Sequence, residues 1–267
     1  MATTPAPGMG EITGNVLFYS RPEPLNPETH GKLGLKQKTN PFAFAKVAHV
    51  VPLNVTEFAL YALSGPVIFI GEERMPAAVL GLNAGQNMFV NDEGAYEIGV
   101  YIPAYIRRFP FVFANDQQRE QLVLCIDRAT DLVGENPDSP FFDEKGEPTE
   151  YTKNCMQFCN DYEVERRRTE SFVQLLKDLD LFETREAAFQ PMNPDGTPGE
   201  RQLIAEFFAV SEEKLRALPA EKLKELTENG ALAQIYAHMM SLAGWDRLIA
   251  IQLNRQAQQQ QPQAANA

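Results

Sequence analysis

The chain has 267 residues, of which 44% are hydrophobic and 22% charged, and its formal net charge is -12. A chain of this length buries a substantial core and fits one large domain or two small ones. The acidic balance argues against nucleic-acid binding, which needs a cationic surface to release counterions, and against docking on anionic lipid.

Residues 1–15 are small and rich in Pro and Gly, and are read as a disordered segment ahead of a single domain over 16–252. They hold no basic patch followed by an apolar run, so a secretory leader is not expected and the cytoplasm is the expected compartment. No window reaches the roughly 18 apolar residues that a membrane span requires. Strand-like runs then occur at 16–19, 43–51, 67–70, 77–80, 87–90, 111–114 and 122–127. Leu82-Asn83-Ala84-Gly85 and Asn91-Asp92-Glu93-Gly94 separate some of them and supply the left-handed positions of tight turns. A short helix is expected after Asn54 as N-cap, with Glu57 as its reciprocal partner.

From residue 149 the apolar period becomes helical. Tyr151, Cys155, Phe158, Tyr162, Phe172, Leu176 and Leu179 form one stripe, interrupted by Glu165 and Thr169, on a helix ending near Leu181. Arg166, Arg167 and Arg168 stand among glutamates and read as a solvated face with i to i+4 pairing. A Pro- and Gly-rich loop over 191–199 stops the helix region. A strand over 202–210 follows, then a short helix capped by Ser211, another begun by Pro219 and ended by Gly230, and a last apolar helix from 231 to about 251. The tail, 253–267, is rich in Gln and reads as disordered. The pattern predicts an α+β fold: a mostly antiparallel sheet from the N-terminal half, with a helical layer from the C-terminal half.

The three cysteines, Cys125, Cys155 and Cys159, lack the spacing of a metal site; on a helix, Cys155 and Cys159 share one face, about 6 Å apart at Cβ. They read as small apolar side chains in a reducing compartment. Phosphate-loop, dinucleotide, nucleophile-elbow and zinc-helix signatures do not occur, so no cofactor and no metal is expected. Ser211 and Lys214 match a Ser-x-x-Lys spacing, but the serine sits where an N-cap belongs. The acidic stretch 138–147 lacks the alternation of a calcium loop and reads as a turn. His30 reads as a turn residue. His238, beside Met239, Met240 and Leu242, reads as a hydrogen-bonded packing residue, with acid, base or ligand chemistry as the functional alternative.

The densest polar and aromatic combination lies over 101–114, where Arg107 and Arg108 stand among five aromatic side chains. Two adjacent guanidiniums on a helical turn or kinked strand point apart. One is expected to turn inward to a carboxylate such as Asp127, and the other outward to an anionic ligand in a pocket rimmed by Tyr101 and Tyr105.

Several stretches taken in order resemble the SapC family of proteobacterial proteins. They include Pro24-Leu25-Asn26 with His30 and Leu33, Val51-Pro52-Leu53, Pro66-Val67-Ile68-Phe69 and Asn87-Met88-Phe89-Val90. Glu57-Phe58, Leu80-Gly81-Leu82, the run from Tyr101 to Phe111, Cys125-Ile126-Asp127, the run from Phe142 to Thr149 and the run from Tyr236 to Leu242 complete the set. The resemblance covers roughly residues 18–250. It implies a link to bacterial surface-layer loci and to outer-membrane nutrient uptake, and it carries over no catalytic residue. The resulting expectation is a non-enzymatic accessory or binding protein. Its partner would be another protein, a second copy of itself or an anionic small molecule, met through Tyr101, Tyr105, Arg107, Arg108, His238 and the last helix. The alternatives are a cofactor-independent enzyme acting on an anionic small molecule, and an S-layer component.

Overall fold

The computed structural model describes residues 17–116, 121–191 and 197–260, and among them every strand pairing is antiparallel. The α+β class expected from the sequence is what the chain adopts. Contacts divide the chain into two compact units: Arg108–Glu163 with the chain up to Pro41, and Phe42–Arg107 with the chain from Val164.

In the first unit, β1 (Pro22–Pro24), β7 (Gln121–Asp127) and β6 (Phe111–Asp116) form one sheet in the order β1-β7-β6. A second sheet is built from β2 (Leu33–Leu35), β8 (Val133–Glu135) and β9 (Ser139–Pro140). Alternation along β7 sends Leu124 and Ile126 to one face, where they meet Phe111, Phe141 and Cys159. Cys159 comes from the first half of α4 (Glu150–Asp178), which realises the helical stripe expected from residue 149. The one-turn helix α1 (Pro27–His30) starts where its sequence says: Asn26 Oδ1 accepts from Thr29 N at 2.9 Å, and proline occupies the first turn. Residues 17–19, expected in a strand, form a turn instead; residue 16 lies outside the described residues.

The second unit holds a five-stranded sheet in the order β10-β11-β4-β5-β3, from β3 (Val50–Pro52), β4 (Val67–Ile70), β5 (Met75–Val79), β10 (Phe182–Phe189) and β11 (Gln202–Val210). Its core is aromatic. Phe69 of β4 meets Phe182 edge-on at 5.0 Å, and Phe58 of α2 (Phe58–Tyr61) meets Phe172 of α4 at 5.9 Å. Thr169, which looked like a break in the α4 stripe, is buried because its hydroxyl accepts from Val55 N at 2.8 Å while donating to Glu165 O. After β11, α5 (Glu212–Arg216) follows Ser211 and α6 (Ala220–Glu228) follows Pro219. The chain then turns at Gly230, with φ of 78°, into α7 (Ala231–Ser241).

Four expectations need correction in this unit. Residues 43–47 form a 3-10 helix rather than a strand; Ala and Lys favour helical backbone, and Ala45 N and Ala48 N each close back three residues. Residues 87–90 contribute only an isolated bridge, Val90 to Tyr96. Strand β10 was not foreseen, since Glu183-Thr184-Arg185-Glu186-Ala187-Ala188 carries helix formers. Its partner β11 overrides that preference along the whole length of the strand. The last helix is two helices, α7 and α8 (Gly244–Gln260). They part where Gly244 lies so close to Gly65 and Pro66 that a Cβ would stand 2.7 Å from the Gly65 carbonyl carbon.

Candidate functional site

The two arginines of the aromatic segment have opposite fates. In the second unit, Arg107, at the end of α3 (Ala104–Arg107), is exposed. Its Nε donates to Ile102 O at 2.9 Å and its Nη2 to the Tyr101 hydroxyl at 3.2 Å. Tyr101 Oη donates in turn to Glu57 Oε1 at 3.0 Å, and burial of the ring pushes that hydroxyl up to about 12. Glu57 is buried, and desolvation raises its carboxyl, partly offset by the N–H groups of Ala104 at 2.7 Å and Asn54 at 3.1 Å. The reciprocal helix start expected at Asn54 and Glu57 is therefore present, and the same carboxylate also holds the first turn of α3. Tyr105, expected on a pocket rim, is buried on α3.

In the first unit, Arg108 turns inward with 7% of its surface exposed. Its guanidinium lies 4.3 Å from the Tyr162 ring centroid and 3.9 Å from Glu163 Oε1, both on α4. Glu163 thus stands where Asp127 was expected. Asp127 is committed elsewhere: it accepts from the backbone N–H groups of Ser20, Arg21 and Ala129 at 2.9–3.1 Å, tying β1 to the end of β7. Next to Arg108, burial pushes the Cys159 thiol up to about 12, which keeps it protonated and unreactive.

His238 is fully buried in the second unit. Its Nε2 accepts from Val210 N at 3.1 Å and its Nδ1 faces Val67 O at 3.0 Å, so the ring carries its proton on Nδ1 and stitches α7 to β11 and β4. Burial pushes the imidazole down to about 4, leaving it neutral near pH 7. Both nitrogens are occupied by the backbone, the arrangement of a packing histidine. Ser211 is likewise drawn into structure, donating its N–H to Leu181 O at 2.8 Å, and Lys214 donates to Phe182 O at 2.9 Å. In the acidic stretch, Asp143 Oδ1 accepts from Lys145 N and Glu147 N at 2.8 and 2.9 Å, which makes the turn that was expected there.

Open polar groups occur elsewhere in the second unit. A cleft of about 460 Å³ is lined by Lys46, Gly85, Gln86, Asn91, Asp92 and Arg255, together with Asn87 and Val90. Its rim is made by the two turns legible in the sequence, with Gly85 at φ of 80° and Gly94 at 76° supplying the left-handed positions. Lys46 comes from the 3-10 helix and Arg255 from α8. Arg255 Nη2 donates to Met88 O at 2.6 Å, which uses one of the five N–H donors of the guanidinium and anchors it over the cleft. Lys46 Nζ meets Asp92 Oδ1 at 2.7 Å, and that carboxylate, held below its ordinary value chiefly by Lys46 and also by Arg255, is almost wholly in solvent. An exposed pair of this kind is weak and exchangeable. Two cations against one solvated carboxylate leave the cleft locally positive on an acidic chain, which suits a carboxylate or phosphate. Neither cation was singled out in the sequence, because each is a lone basic residue with no motif around it.

The sequence model of the SapC family matches residues 25–248. No curated protein and no solved structure matches the chain.

Proposed function

The chain belongs to the SapC family, and on that footing we propose that it is a non-enzymatic binding protein whose ligand is a small anion held between Lys46 and Arg255. The observation that carries this reading is the cleft itself, with two basic side chains converging on open space while the polar groups of Glu57, Asp127 and His238 are taken up by backbone. A small anionic ligand also fits the part in nutrient uptake that the family resemblance implies. Calorimetric titration with inorganic phosphate and with short carboxylates tests it. One charged hydrogen bond contributes about 1.5–3 kcal/mol, so Arg255→Ala should weaken binding by about tenfold or more. Lys46→Ala, which removes only an exposed ion pair, should weaken it as well with fold stability near that of the parent. Absence of any heat or thermal shift with these anions, or indifference to both substitutions, would remove the proposal.

A second reading, association with another protein or a second copy, is favoured by the α2 and α7 pair. Leu60 and Leu63 stand exposed on and beside α2, with Leu63 at 79%, while Tyr236 and Met240 stand exposed on α7, with Met240 at 74%. Light scattering on the parent and on Leu63→Glu with Met240→Glu tests it. A mass that falls to the monomer in the variant supports association, and a monomeric parent that retains no partner in pull-down counts against it.

A further inference from the structure

We infer that the outer edge of β10 is a self-association site, at which a second copy of the chain adds its own β10 antiparallel and joins the two five-stranded sheets into one; this stands apart from the Lys46 and Arg255 cleft. β10 ends the sheet order β10-β11-β4-β5-β3, and among the described residues no strand pairs with its outer side. Thr184, Arg185 and Glu186 are exposed there. The opposite edge of the same sheet, β3, is three residues long and ends on Pro52, and shortness and proline are both devices that keep edges from pairing. From Phe182 to Glu186, β10 has neither proline nor lysine, and its bulge lies beyond, between Ala187 and Ala188.

The ladder fixes which main-chain groups that edge presents. Phe182 stands opposite Val210 and, one step back, Ser211 N donates to Leu181 O at 2.8 Å, so the odd-numbered residues of β10 aim their groups at β11. Phe182, Thr184 and Glu186 therefore aim theirs outward. Two contacts agree: Phe182 O accepts from Lys214 Nζ at 2.9 Å, and Val210 N, opposite Phe182, donates to His238 instead of to β10. A second copy can pair only even residue with even residue, and two-fold symmetry leaves just the centre to choose. Glu183 and Arg185 share one face at 3.9 Å, with side chains 38% and 51% exposed. Centred on Thr184, the pairing sets Glu183 of each copy opposite Arg185 of the other, at the non-hydrogen-bonded positions where side chains come closest. Centred one residue earlier, Glu183 meets Glu183; one later, Arg185 meets Arg185. Charges that ordinarily guard an edge by repulsion are thus complementary in the Thr184 register and opposed in both neighbouring ones. In that register Thr184 and its copy exchange their bonds, and Phe182 N–H meets Glu186 O at each end. Only the carbonyl of Phe182 has to be shared, with Lys214.

The experiment is light scattering of the full chain at about 100 μM, where a complex with a Kd of about 10 μM is mostly assembled. The parent should show twice the mass of one chain. Glu183→Arg and Arg185→Glu each set like charge against like in both crossed pairs, and each should weaken association about tenfold or more. An equimolar mixture of the two variants puts opposite charges back into both pairs and should regain the dimer mass. Thr184→Pro removes an outward N–H that β11 does not use, so it should abolish association while keeping the circular dichroism of the parent. Should that spectrum change, the mixture of the two reversals decides alone. A monomeric parent overturns the proposal, as does a dimer indifferent to both reversals or a mixture no heavier than its components. A dimer that yields to Leu63→Glu with Met240→Glu but not to the reversals belongs to the α2 and α7 face and overturns the edge as well. Phosphate titration should be unchanged by the reversals, so the anion reading stands or falls separately.

Discussion

His238 and Arg255 lie on successive helices of the same unit, and the protein treats them in opposite ways. The imidazole is sealed in, its two nitrogens answering one N–H of β11 and one C=O of β4. The guanidinium is tied by a backbone carbonyl at one nitrogen and otherwise turned to a cleft. A polar group whose bonding capacity is filled by main chain is part of the scaffold, whatever chemistry its residue type could do. One with donors left over beside a cavity is where ligands are met.

The contrast is sharpest in the cost of losing the sealed group. His238→Leu would leave Val210 N–H and Val67 C=O buried without partners, and should cost about 2–5 kcal/mol in denaturant unfolding. A loss under about 1 kcal/mol would break the scaffold side of the comparison. Next comes pH. The imidazole titrates near 4 when folded and near 6.5 when free, so the unfolded chain binds more protons between these values. The stabilisation from the neutral ring is complete above pH 6.5 and is lost as pH falls toward 4, by about 3 kcal/mol. Glu57 works against this just above its ordinary 4.5, since its raised carboxyl stabilises the protonated folded form. His238→Gln should therefore flatten the acid slope and expose the opposite trend. Thr169→Val should cost about 1–3 kcal/mol by stranding the Val55 N–H, again read from the denaturation midpoint. The smallest effect is expected on α8. Gln252 Oε1 is buried without a hydrogen-bond partner, so Gln252→Leu should be neutral or stabilise by up to about 1 kcal/mol.

Local chemistry made part of this molecule readable in advance. Asn54 with Glu57, and Gly85 and Gly94, each act within a few residues of themselves, and each does in the fold what its side chain or its lack of one dictates. The α4 stripe was readable for the same reason, because helical period is a property of contiguous sequence. What escaped was set by distant partners. The charged strand β10 is paired along its length by β11, and the break before α8 falls where Gly244 comes up against Gly65. That one of the two arginines turns inward was legible from the aromatic neighbours, but that it is Arg108, and that its carboxylate is Glu163 on α4 rather than Asp127, was not. The cationic cleft was the least legible part. Lys46 and Arg255 come from opposite ends of the sequence, and nothing around either residue announces the other.

At the corner before α8, main chain rests on main chain, with Gly244 against Gly65 and Pro66. Such a joint contains no rotamer to adjust, so the point at which the helix starts is fixed by the polypeptide path, and buried Trp245 and Leu248 then seat its first turns. Exchange of Leu253, farther along, leaves that start in place, whereas Arg255 is itself a tether through Met88 O. A descendant sequence is free to revise the helix's outward letters, provided Gly244 and Gly65 at the crossing are never rewritten.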